Sequence, residues 1–195
     1  MGIPGIINAL FILLSNITFI FAVANTNVAN ALIMISLIPL SAALFSAIFL
    51  NERPIFITWL SMTVCLITII FIFYDSLGVG NFYGDILAFI TAVGLAVGAV
   101  TIRSAKSKNL VPAAVIGKLF VATFALFFIE SFLLVEKDLI IVPLMCILCV
   151  AIPFVLVTIA PRFIPAAEVN LFFLLETIIG PIWVWFVIKE QPSIE

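Results

Sequence analysis

Apolar residues run along this chain in stretches too long for the helices of a water-soluble core, and polar residues break them at nearly regular intervals. Seven stretches, about Ile6–Ala24, Val28–Leu50, Ile55–Tyr74, Gly84–Ile102, Ala113–Val135, Leu139–Ala160 and Val169–Ile188, approach or exceed the roughly 20 residues that a helix needs to cross a bilayer. The breaks between them are short, among them Asn25-Thr26-Asn27, Glu52-Arg53-Pro54, Ser76–Gly84 and Arg103–Asn109. The pattern predicts an all-α polytopic membrane protein with seven transmembrane helices and no extramembrane domain. The first stretch lacks a basic segment ahead of it and is followed at once by another span, so it reads as a retained helix and not as a cleaved signal.

One segment recurs. Ile38-Pro39 precedes Glu52-Arg53-Pro54 across an apolar run, and Glu176-Thr177 precedes Glu190-Gln191-Pro192 across another, at a constant offset of 138 residues from Glu52 to Glu190 and from Pro54 to Pro192. The two copies are five spans apart, and an odd advance places the second Glu-x-Pro on the opposite face of the bilayer. The predicted architecture is therefore an inverted-repeat helical bundle, in which two similar halves rock about a shared central site.

Charge sets the orientation. When the turns are assigned to alternating sides, Arg53, Arg103, Lys106, Lys108 and Arg162 gather on one side and only Lys137 and Lys189 on the other. By the positive-inside rule the first side is cytoplasmic, which puts Met1 and Glu52 inside and Asp75, Asp85 and Glu190 outside. Tyr74, Tyr83, Trp183 and Trp185 fall near external span ends and Trp59 near an internal one, where amphipathic rings favour the headgroup zone. Arg103–Asn109 reads as a solvated anchor, and Ser76–Gly84 as an external hinge between the halves.

Composition narrows the function. Hydrophobic residues make up 66% of the chain and charged residues 9%, with a mean hydropathy of +1.44, so the lipid bilayer is the partner that covers the surface. Nucleic-acid binding and soluble catalysis lose their platform. The chain has no histidine, G-x-G-D or G-x-S-x-G turn, so no enzymatic activity, cofactor or metal is expected. Cys146 and Cys149 form a C-x-x-C inside an apolar helix with no second pair, and read as small packed residues. Gly94 and Gly98 form a small-xxx-small pattern, read as packing within one bundle in preference to a homodimer contact. Asn16-Ile17-Thr18 matches a glycosylation sequon but lies within a span.

The run Asn27–Leu32 through Leu37-Ile38-Pro39-Leu40 to Phe49–Pro54 resembles the end of a half-repeat in the EamA-type transporters of the drug/metabolite transporter superfamily. Phe163–Val169, Leu175-Glu176-Thr177, Gly180–Trp185 and Lys189–Pro192 are similar to the matching part of that family's second half, and Gly84–Ala88 leading to Arg103 to its start. The family pattern is ten helices in two inverted halves of five. The resemblance implies that residues 1–75 hold the last three helices of the first half, that 76–83 is the hinge, and that 84–195 holds the first four helices of the second. It also implies a carrier, an exporter in the cytoplasmic membrane of a prokaryote, moving a small polar or amphipathic molecule. The competing expectation is a truncated, non-transporting fragment or a helix-packing membrane subunit.

Three ionisable residues lie within spans, where a charge costs about 2.5 to 3.5 kcal/mol on insertion scales. Lys118 is near enough to the cytoplasmic end to snorkel, and Glu130 near enough to the external end to be interfacial. Glu176 is mid-span, out of reach of either surface, and faces a cavity or serves helix packing. Pro39 and the pair Gly180-Pro181 are expected to kink the two equivalent helices and free backbone carbonyls near the midplane. Asn30 with Ser41, and Asn170 with Thr177, share helical faces by their spacing of eleven and seven residues. With Glu176 they are candidate substrate-lining residues, or polar contacts between helices.

Overall fold

The computed structural model describes residues 2–72, 74, 82–128, 138–175 and 179. They form helices α1 (Gly2–Asn25), α2 (Val28–Ile35), α3 (Ile38–Phe49), α4 (Phe56–Ile72), α5 (Phe82–Ser104), α6 (Val111–Leu126), α7 (Asp138–Met145) and α8 (Ile152–Ile159), and α9 (Ala166–Leu175). Four helical stretches are long and apolar enough to cross a bilayer: Gly2–Asn25, Asn30–Phe49, Phe82–Ser104 and Asp138–Arg162. Three shorter ones, Phe56–Phe71, Val111–Leu126 and Ala166–Leu175, fall on the remaining apolar runs. The chain is an all-α polytopic membrane protein.

Prolines interrupt two of the long stretches. Pro39 has no N–H to give the Ile35 carbonyl, so α2 ends there and α3 starts afresh with Pro39 in its first turn. At the break the Leu37 N–H donates to Met34 O at 3.2 Å, and Ile33 O receives the Ser36 hydroxyl at 2.6 Å instead. Between Pro143 and Pro153 the backbone widens into a π-helical segment, Cys146–Ala151, in which the Ile152 N–H donates to Ile147 O. That extra residue per turn absorbs the register change the prolines impose. Cys146 and Cys149 are exposed on this stretch, not packed inside the bundle as their apolar setting suggested.

Burial follows the logic of lipid as solvent. The interior is lined by small residues, among them Ala22, Ala31, Ala42, Ala88, Ala92 and Ala96, while Phe71 and Phe127 are 81% and 83% exposed. Small residues let backbones approach, and large apolar ones meet acyl chains without cost. The α1–α5 pair shows this best. A methyl group at Gly94 would overlap Ser15 Oγ, Asn8 Nδ2 donates to Gly98 O at 3.2 Å, and the Thr18 and Thr91 hydroxyls are 2.8 Å apart. With Thr26 Oγ1 donating to Asp85 Oδ1 at 2.6 Å, these contacts run in opposite order along the two helices, so α1 and α5 are antiparallel. Helix α6 runs parallel to α1, with Gly117 beside Ala9 and Ile12 and Phe128 edge-on to Phe21.

Helix α3 packs on α5 and α9 through Ile38, Ala42, Ala92, Ala96 and Ala166, and on α4 and α9 through Ala43, Met62 and Ala167. The middle and C-terminal half of α3 meet the N-terminal end of α9, where Ser46 lines one cavity with Pro165, Ala167 and Glu168. Ala29, which begins the first copy of the repeat, and Ala167, its counterpart 138 residues on, therefore start at opposite ends of the bundle.

Candidate functional site

The end of the bundle where α3 and α5 finish carries most of the described charge. Asn51 closes α3 in the left-handed region, φ 54°, a conformation asparagine adopts more readily than most residues, and Ser46 O accepts the N–H groups of both Leu50 and Glu52. The reversal turns Glu52 back over the bundle. There Arg103 Nε donates to both carboxylate oxygens, at 3.0 and 2.9 Å. Arg103 Nη1 faces the carbonyls of Pro161 and Arg162 at 3.4 and 3.5 Å, and Arg162 Nε donates to Lys106 O at 3.0 Å. One guanidinium thus links the end of α3, the end of α5 and the 3-10 turn Ala160–Arg162 that leads toward α9. Lys106 and Lys108 are solvated, as expected of an anchor, but Arg103 is not: its side chain is only 13% exposed.

A cavity of about 300 Å³ opens beside this pair. Arg53, Glu52, Arg103, Glu168 and Ser46 give it a polar lining, and Pro54, Ile55, Pro165 and Ala167 an apolar one. Ser46 is 2% exposed and its hydroxyl has no hydrogen-bond partner among the described residues. A buried hydroxyl left unpaired costs about 1 to 3 kcal/mol.

A second polar locus lies within the membrane span. Lys118 Nζ donates to Asn16 Oδ1 at 2.8 Å and stands 4.5 Å from the centroid of the Phe154 ring, joining α6, α1 and α8. Asn16 is held for this contact by its own Nδ2, which donates to Ile12 O at 2.7 Å. The lysine does not snorkel. Gly117 is level with Ala9 and Ile12, and Asn16 is a further turn along α1 away from Gly2, so the ammonium extends toward the bilayer centre.

The remaining sequence candidates are placed as follows. Asn170 is buried and donates to Ala166 O, 2.9 Å away in its own helix. Asn30 and Ser41 are half-buried on α2 and α3, on either side of the break before Pro39. Pro54 lines the charged cavity with Glu52. Glu130, Glu176, Thr177, Gly180, Pro181, Glu190 and Pro192 lie outside the described residues. Sequence reading missed the roles of Arg103, Asn16, Ser46 and Phe154. Only Arg103 offered a signal, as a basic residue ending a span at the same face as Glu52.

The sequence matches the EamA-like transporter family over residues 3–74 and 82–195. The chain belongs to that family. An EamA-like membership makes it a membrane transporter protein by kinship, and accounts for an all-helical fold made of bilayer-length apolar stretches. Comparison with individual curated proteins gives no match.

Proposed function

We propose that the chain is a secondary carrier and not an enzyme, exporting a small polar or amphipathic solute by alternating access between two inverted half-repeats, with Met1 on the cytoplasmic side of a prokaryotic inner membrane. The observation that carries this reading is the family match in two stretches, on either side of residues 75–81. The opposed starting ends of Ala29 and Ala167 support the inversion, and the gathering of Arg53, Arg103, Lys106 and Arg162 about one end supports a cytoplasmic assignment for that end. In this reading the Glu52–Arg103 pair holds the cytoplasmic end closed, and the cavity lined by Ser46, Arg53 and Glu168 is the vestibule behind it. Asn30, Ser41 and Asn170 line the path farther in, Glu176 and Thr177 are assigned to the same path from the sequence alone, and the helix break at Pro39 gives it backbone carbonyls.

The test is flux in sealed proteoliposomes against a panel of labelled polar metabolites, with protein-free vesicles as the control. Saturable flux of at least one solute, lost in a Glu176→Gln variant that inserts normally, supports a carrier with its path at Glu176. Saturable flux unchanged in that variant assigns the carboxyl to packing. An absence of saturable flux throughout favours a helix-packing subunit.

A further inference from the structure

We propose that Lys118, Asn16 and Phe154 form an oxyanion site within the membrane, so that the transported solute carries a carboxylate or phosphate group; this rests on the carrier reading above. The ammonium of Lys118 touches one neutral carbonyl oxygen and one aromatic face, and no carboxylate stands within ion-pair distance of it among the described residues. An ammonium has three donors. One is taken by Asn16 Oδ1 and the ring attracts the cation without using a second, so donors remain for a ligand.

The two neutral partners present among the described residues do not balance a charge at this depth. Ionisable residues inside a membrane face a water-filled space or pair with an opposite charge, and Lys118, Asn16 and Phe154 are all half-buried and not sealed. The accessible side of the ammonium is left open among the described residues. The partners are arranged to hold the cation and not to neutralise it: Asn16 presents its acceptor oxygen to Lys118 because its Nδ2 is spent on Ile12 O, and Phe154 lies beyond a π-helical segment that shifts its position on the helix. A permanent carboxylate at residue 16 would fill the site. An amide there keeps the ammonium positioned and leaves the negative charge to be supplied by the solute. The arrangement favours anionic groups and disfavours cationic ones, which meet like charge in a low-dielectric surrounding.

The experiment uses the full chain in phosphatidylcholine nanodiscs and measures the unfolding temperature with sodium acetate or sodium phosphate against sodium chloride at equal ionic strength. A site-bound anion raises the unfolding temperature by mass action. The expected result is a concentration-dependent rise over chloride with acetate, phosphate or both, and the responding anion identifies the group. The rise is kept in Lys118→Arg and lost in both Lys118→Met and Asn16→Asp. The near-isosteric Asn16→Asp places a built-in carboxylate on Lys118 and keeps the test informative if Lys118→Met fails to fold. Wild-type protein that responds to neither anion beyond chloride, or a response that persists in Asn16→Asp, overturns the proposal. Neither result bears on whether some solute is carried, which the flux assay decides separately.

Discussion

At the scale of single residues, the Glu52–Arg103 pair decides how the charged end is held together. Its carboxylate is 32% exposed and its guanidinium 13%, so the loss of one partner leaves a mostly buried cation with only two long carbonyl contacts. Glu52→Gln is expected to cost about 1 to 3 kcal/mol, the range for leaving a buried polar group poorly paired, read as a lower unfolding temperature. The charge-swapped double variant Glu52→Arg/Arg103→Glu should recover part of the loss. No recovery beyond the sum of the single variants would show that the pair is not an energetic unit. Asn51 gives a second case. Its positive φ predicts that Asn51→Gly is tolerated and that Asn51→Val destabilises by about 1 to 2 kcal/mol, a ranking that thermal unfolding checks directly. The Glu-x-Pro motif was legible in the sequence, but its partner was not. Arg103 is 51 residues from Glu52 and Asn16 is 102 from Lys118, and nothing local couples such positions until helices pack.

At the scale of elements, apolar length was the legible quantity, because a bilayer imposes it on each span independently of all the others. The seven runs and the break at Pro39 follow from local composition and from one missing N–H. The π-helical segment does not, since two prolines ten residues apart admit a kink at either and a widened turn between them. Which small residues face which helix was also hidden. Gly94 and Gly98 announced a close contact, but α1 was not distinguishable from any other partner by pattern alone. Gly94→Leu should therefore weaken α1–α5 packing. Overpacking of this kind costs about 1 to 3 kcal/mol, and the overlap at the Cβ is with Ser15 Oγ. A Ser15→Gly change made with it should restore part of the stability in detergent unfolding assays, and no restoration would place the clash elsewhere.

At the scale of the whole molecule, most of the described charge gathers at one end of the bundle, and the proposed inversion rests on Ala29 and Ala167 starting from opposite ends. In intact cells, with Cys65, Cys146 and Cys149 replaced by alanine, single cysteines at Lys106 and Phe82 should differ in labelling by an impermeant maleimide. Phe82→Cys is expected to label and Lys106→Cys to be protected, and the reverse would turn the topology over. Alternating access asks for more, namely that the charged end exist in two arrangements whose balance the ion pair sets. Arg53 and Phe163 are both exposed at that end, beyond the end of α3 and before the start of α9, and suit spin labels for a distance measurement in nanodiscs. The account predicts a short-distance population in the otherwise unaltered protein and, on adding Glu52→Gln, a transfer of population to a second, longer distance. A single distribution, unchanged by Glu52→Gln, would contradict a cytoplasmic gate held by Glu52 and Arg103.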